Sequence, residues 1–158
     1  MNIHDFAEDN AIGKRGEKIF SDFMSRIGIK FTDVSEDENY QSDDVDFLVS
    51  SKKLGRDVGV EVKNDRWIHR TGNVFFETVS NVDFDTQGCF SKSKADFMAI
   101  VSEDEHSIYF IKMVPLREFV EKNMNSLTKI ERVSGSNSSG YLIPLSEIAG
   151  ITTKVKYK

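Results

Sequence analysis

The sequence predicts a single α/β domain, and three observations predict it. An N-terminal segment repeats its apolar residues at three- and four-residue steps, and several later segments alternate or run apolar over the length of a strand. The chain has 158 residues, 39% apolar and 30% charged, which suits one core. At this length roughly two thirds of the unfolded surface is buried on folding, so no metal or disulfide staple is required.

Asp9 or Asn10 caps a predicted helix that carries Ile12, Ile19, Phe20, Phe23, Met24 and Ile27 on one face and stops before Gly28. Ile29 to Val34 reads as a short strand. Ser35 to Asp44 is polar and acidic, with too little apolar content for anything but a loop. Val45 to Val49 and Asp57 to Lys63 read as a hairpin closed by a turn at Gly55, the second strand alternating strictly. Asn64 to Gly72 is a polar loop, Asn73 to Val79 a strand, and Ser80 to Gly88 a loop. Ser91 to Ala95 reads as a short helical turn leading to strands at Phe97 to Val101 and Ser107 to Met113. Pro115 suits a helix start, with Leu116, Phe119, Val120 and Met124 as its apolar face. Lys129 to Val133 pairs with Tyr141 to Pro144 across a Ser/Gly-rich loop, and the tail with Lys154, Lys156 and Lys158 is expected to fray.

Composition narrows the chemistry. No window holds the roughly 18 consecutive apolar residues of a membrane span, and Met1 to Glu17 has no apolar signal region, so no membrane contact and a cytoplasmic location are expected. Cys89 is the single cysteine, which excludes an internal disulfide and a thiolate zinc cluster. His4, His69 and His106 lack ligand spacing, so carboxylates must hold any metal. The net charge is −5, yet Asp33, Glu36, Asp37, Glu38, Asp43, Asp44 and Asp46 fall together with no base among them. An acidic chain binds nucleic acid poorly unless basic groups gather locally.

The hairpin is the informative stretch. Alternation sends Val58, Val60 and Val62 to one face and Glu61 and Lys63 to the other. Asp46 at the start of the partner strand brings a second carboxylate. Two carboxylates, a backbone carbonyl and waters suit a hard cation such as magnesium. A solvated hairpin face with a cross-strand ion pair accounts for the same residues.

Asp46 followed by Glu61-Val62-Lys63, a preceding helix with Gly16-Glu17, the stretch Arg70 to Glu77 and the step Ser93-Lys94-Ala95-Asp96-Phe97 resemble the PD-(D/E)XK nuclease superfamily. Within it, the chain is similar to small phage-type endonucleases and Holliday junction resolvases, with Val45 where the motif name has proline. The resemblance implies a restriction-endonuclease-like αβββαβ core, a central mixed sheet flanked by helices, spanning residues 1–158 as one domain. It implies that Asp46, Glu61 and the main-chain carbonyl of Val62 bind Mg2+, with Mn2+ as a substitute. Lys63 would orient or help deprotonate the attacking water, and Glu17 would be an additional ligand. Glu77 would stand behind them, though an edge position facing solvent explains it equally.

Arg66, Trp67, Arg70 and Lys94 are the candidates for nucleic-acid contact, Trp67 by stacking on an unpaired base or by anchoring its own loop. The expected activity is metal-dependent hydrolysis of phosphodiester bonds, as a DNA endonuclease; junction resolvases act as dimers, so the resemblance extends to a homodimer. Two rival readings are a catalytically silent nuclease-like module that binds nucleic acid or protein, and an acidic interaction protein working through Asp33 to Asp46.

Overall fold

In the computed structural model, residues 3–133 and 137–158 are described. Helix α1 runs Ile3–Arg26, so it begins six residues before the expected cap. Asp9 and Asn10 lie on its exposed side, where helix formers around them, Ala7, Glu8 and Ala11, offset their weak propensity. Gly28 ends the helix at φ +72°, its N–H bonding the Ser25 carbonyl at 3.1 Å while the Ile29 N–H reaches Met24 at 3.0 Å.

The chain then forms β1 (Phe31–Asp33), α2 (Glu38–Gln41), β2 (Phe47–Ser51), β3 (Arg56–Asn64), α3 (Ile68–Thr71), β4 (Asn73–Asn81), β5 (Thr86–Gln87) and α4 (Cys89–Lys92). It continues through β6 (Phe97–Ser102), β7 (Ser107–Lys112), α5 (Met113–Asn123), β8 (Thr128–Ile130), β9 (Ser139–Pro144), a 3-10 segment Leu145–Ile151 and β10 (Thr152–Lys156). A six-stranded sheet is ordered β1-β2-β3-β6-β7-β10, and a four-stranded sheet β5-β4-β9-β8. The central sheet is mixed, because β3 and β6 run parallel while its other neighbours are antiparallel.

This is the expected α/β architecture of a central mixed sheet flanked by helices. The strand at 73–81 joins the second sheet by pairing with β9. In the central sheet, β3 pairs with β6, with Val60 opposite Phe97 and Glu61 opposite Met98.

Each face of the central sheet has its own core. Phe20, Phe23 and Met24 of α1 pack on Val60, Val62 and Ala99. The opposite face, with Met98, Ile100 and Ile111, packs on Phe76 and Ile143 of the second sheet and Leu116 of α5. Covered on both sides, β3 buries Gly59 and Glu61 as well as its valines. Glu61 on the hairpin is therefore buried, while Lys63 beside it is only partly so.

Other expectations are corrected by local chemistry. The segment 35–44 contains α2, because Asp37 caps it by accepting the Asn39 N–H at 2.9 Å. Residues 64–72 and 80–88, expected as loops, hold α3 and β5, and the turn expected at Ser91 begins at Cys89. The tail is ordered rather than frayed: Thr152 to Lys156 pair with β7, and Tyr157 is buried against the α1 side. The expected pairing near residues 129–144 is present between β8 and β9, while residues 134–136 of its loop lie outside the described residues. No described helix is long and apolar enough to cross a membrane.

Gly140 shows how tightly β9 is seated on β4. A Cβ built there would stand 2.1 Å from the Phe76 carbonyl oxygen. Backbone cannot yield as a flexible side chain does, so Gly140→Ala is expected to destabilise by about 3 kcal/mol and lower Tm by roughly 6 to 12 °C. A thermal melt that shifts by less than a degree would disprove this tight seating.

Candidate active site

The site begins with the alternation of β3. Val60 and Val62 are committed to the α1 core, so Glu61 and Lys63 project toward the second sheet. The two side chains meet at 2.7 Å, Glu61 with only 5% of its side chain exposed and Lys63 with 43%. Lys63 is partly exposed to the cleft and closes over the sealed carboxylate.

Asp46 lies just before β2. The register Phe47 opposite Val60 brings it to the end of the ladder, beside Val60 to Val62 of β3. Its own N–H donates to the Val60 carbonyl at 2.9 Å, and its Oδ2 accepts the Val62 N–H at 2.7 Å. Where the β2 ladder stops, a carboxylate takes over the N–H left without a strand partner. Carbonyl directions alternate along a strand, so the Val62 carbonyl points to the same edge as that of Val60, past the end of β2.

Helix α1 brings a third carboxylate. A Cβ on Gly16 would come within 2.9 Å of the Asn64 Cβ, so helix and strand approach as closely as a glycine permits. Glu17 follows Gly16 and lines the resulting cleft, its Oε2 accepting from Lys14 Nζ at 3.1 Å. Across the cleft, Glu77 of β4 is half-buried, and its Oε1 accepts the Cys89 N–H at 3.2 Å.

The cleft has a volume of about 990 Å³ and lies between the two sheets. Glu17, Asp46, Glu61, Lys63 and Glu77 line it, as do Arg66 and Trp67. Arg70 stands outside that lining, its guanidinium 5.7 Å from the Trp67 ring centre. Lys94 is also outside it, exposed and paired with Asp43 at 2.9 Å. Asp44, Asn64 and Arg132 line the cleft without having been singled out from the sequence. Asp44 sits beside Asp46 and was legible as part of the acidic run, whereas no local pattern marks Arg132.

Carboxylates outnumber cations in this cleft, and their pKa values respond. Burial pushes Glu61 up to about 7, with Lys63 opposing and Asp46 adding to the rise. Asp46 is also raised, by burial first and by the charge of Glu17, against the bond from Val62. Burial works against the charge of Lys63, but Cys89, Glu61 and Glu77 outweigh it and hold the ammonium pKa above the ordinary lysine value. Lys63 is thus a fixed cation and a poor proton acceptor. Burial lifts the Cys89 thiol to about 12, which leaves it inert.

These residues fit a hard divalent cation. Glu61 Oε2 is buried with no hydrogen-bond partner, an expensive state that a cation would relieve. Among the described residues, no three or more His, Cys, Asp or Glu side chains close into a metal cage. Magnesium does not ask for one: it is commonly held by one or two carboxylates and keeps several waters.

A stability test follows from Glu61. Its folded pKa of about 7 lies above its ordinary 4.5. Between those values the folded chain keeps a proton that the unfolded chain has released, so stability falls as pH rises through this window. The loss is of the order of 3 kcal/mol and is complete above about pH 7 to 8. The metal-free protein is expected to melt lower at pH 8 than at pH 5.5, and added Mg2+ is expected to raise Tm more at pH 8. Equal magnesium shifts at both pH values would contradict a cation at Glu61.

No protein-family profile matches the chain, and no curated protein matches it. Among solved structures, the chain is similar to a nuclease from a fusselovirus, at 14% identity and a TM-score of 0.40, over 92% of this chain and 86% of that one.

Proposed function

We propose that the protein is a divalent-metal-dependent nuclease of the PD-(D/E)XK type that hydrolyses phosphodiester bonds in DNA. The observation that carries this reading is the buried Glu61 with its unpartnered oxygen, set against Asp46 and the Lys63 ammonium on the floor of one cleft.

Asp46 and Glu61 would hold Mg2+ or Mn2+ through their carboxylates, with the Val62 carbonyl at the same edge and Glu17 adding charge from α1. A cation bound there lowers the pKa of a coordinated water and offsets charge on the phosphoryl oxygens. Lys63 places a positive charge where the phosphate becomes more anionic, and it needs no reorganisation because Glu61 already fixes it. Glu77 steadies that arrangement from the roof through its bond to Cys89 and its charge on Lys63. Arg66, at the rim, supplies a phosphate contact that the acidic floor cannot.

The test is an incubation of the purified protein with plasmid, linear, single-stranded and branched DNA, with Mg2+, with Mn2+ and with EDTA. Cleavage with either metal and none with EDTA is expected. Binding without cleavage under every condition would favour the silent module, and absence of both would favour an acidic interaction protein.

A further inference from the structure

Resting on the nuclease reading of this cleft, we infer that its substrate carries unpaired nucleotides at the scissile phosphate, with bases held by the roof and by Trp67. The roof supplies the first observation. Phe75 and Glu77 share one face of β4, and register places Leu142 of β9 opposite Phe75 and Ile130 of β8 opposite Gly140, beside Glu77. All four line the cleft, while Phe76 between them turns into the core. The cleft therefore has a charged floor and a largely apolar roof. A fully paired duplex turns phosphates and sugars outward and stacks its bases inside. It would leave Phe75, Leu142 and Ile130 with nothing apolar to touch. A strand with free bases satisfies both sides at once, phosphates toward the floor and ring faces toward the roof.

Trp67 supplies the second observation. It is 59% exposed while its neighbour Ile68 is 1% exposed. Asp65 Oδ1 accepts the N–H groups of both Trp67 and Ile68, at 2.7 and 3.0 Å, so the backbone under the indole is pinned. The ring stands exposed at the cleft wall above that pinned backbone, with the Arg70 guanidinium 5.7 Å from its centre. An anchored, exposed tryptophan next to the arginine side chains of Arg66 and Arg70 matches how single strands are gripped, by stacking together with charge.

Trp67 is the only tryptophan in the chain, so its emission reports on this site alone. The intact protein is titrated in EDTA with single-stranded DNA, with a blunt duplex, and with the same duplex carrying a short internal gap. Quenching is expected with the single strand and the gapped duplex, and little with the blunt duplex at equal concentration. In anisotropy with a labelled single strand, Trp67→Ala is expected to weaken binding about tenfold or more, and Trp67→Phe to keep most of the affinity. Equal quenching by the blunt duplex, or tight single-strand binding with no quenching, would overturn the inference. Emission that shifts with protein concentration alone would assign Trp67 to a protein contact and overturn it as well. Because EDTA removes cleavage from the measurement, a failed nuclease assay and a failed stacking assay are separate results.

Discussion

A Glu61→Gln protein is expected to lose cleavage by about 10³-fold or more and to bind Mn2+ measurably more weakly, without losing its fold. The amide keeps the shape of the carboxylate and an oxygen for Lys63, so the contact at 2.7 Å has a neutral replacement. What disappears is the negative charge that a cation requires in a pocket where Glu61 is sealed from water. The same charge burdens the metal-free protein above pH 7, since burial holds its pKa at about 7. The variant should therefore melt no lower than the parent at pH 8 in EDTA, which separates loss of chemistry from loss of structure. Parental cleavage by Glu61→Gln would remove the metal site proposed here.

Lys63→Ala should separate catalysis from metal binding. Removing an ammonium takes a positive neighbour away from two carboxylates, so affinity for Mn2+ is expected to hold or rise. The rate is expected to fall by about 10² to 10³, the usual loss for one preorganised charge. Lys63→Arg should recover part of it, limited by a planar fork that does not match the point contact on Glu61. Calorimetric titration beside a cleavage time course resolves the two quantities. A Lys63→Ala protein that cuts at the parental rate would show that the ammonium serves only to neutralise Glu61.

The sequence exposed the floor of this site and hid its roof, for a physical reason. The facing of Glu61 and Lys63 follows from alternation within one strand, and the placement of Asp46 from a hairpin with a short turn; both are set by near neighbours. The α1 face was legible from its apolar spacing, although its start was misplaced because Asp9 and Asn10 imitate a cap. The roof depends on β4 choosing β9 over β3, a pairing between distant segments that no local pattern encodes. Arg132 and the apolar lining at Ile130 and Leu142 arrive with that choice. Trp67 was visible as a residue but not as a surface, since exposure is decided by what packs nearby.

The pairing of β4 with β9 also sets the order in which the cleft is completed. Every group on the floor, from Glu17 to Lys63, leaves the ribosome well before Ser139 to Pro144, and β4 has its central partner only once that later strand has been made. An emerging chain carries the charged half of the cleft before the strand that seats its apolar half has been made. A chain cut short before residue 139 would keep Glu17, Asp46, Glu61 and Lys63 but lack the strand that seats β4 over them.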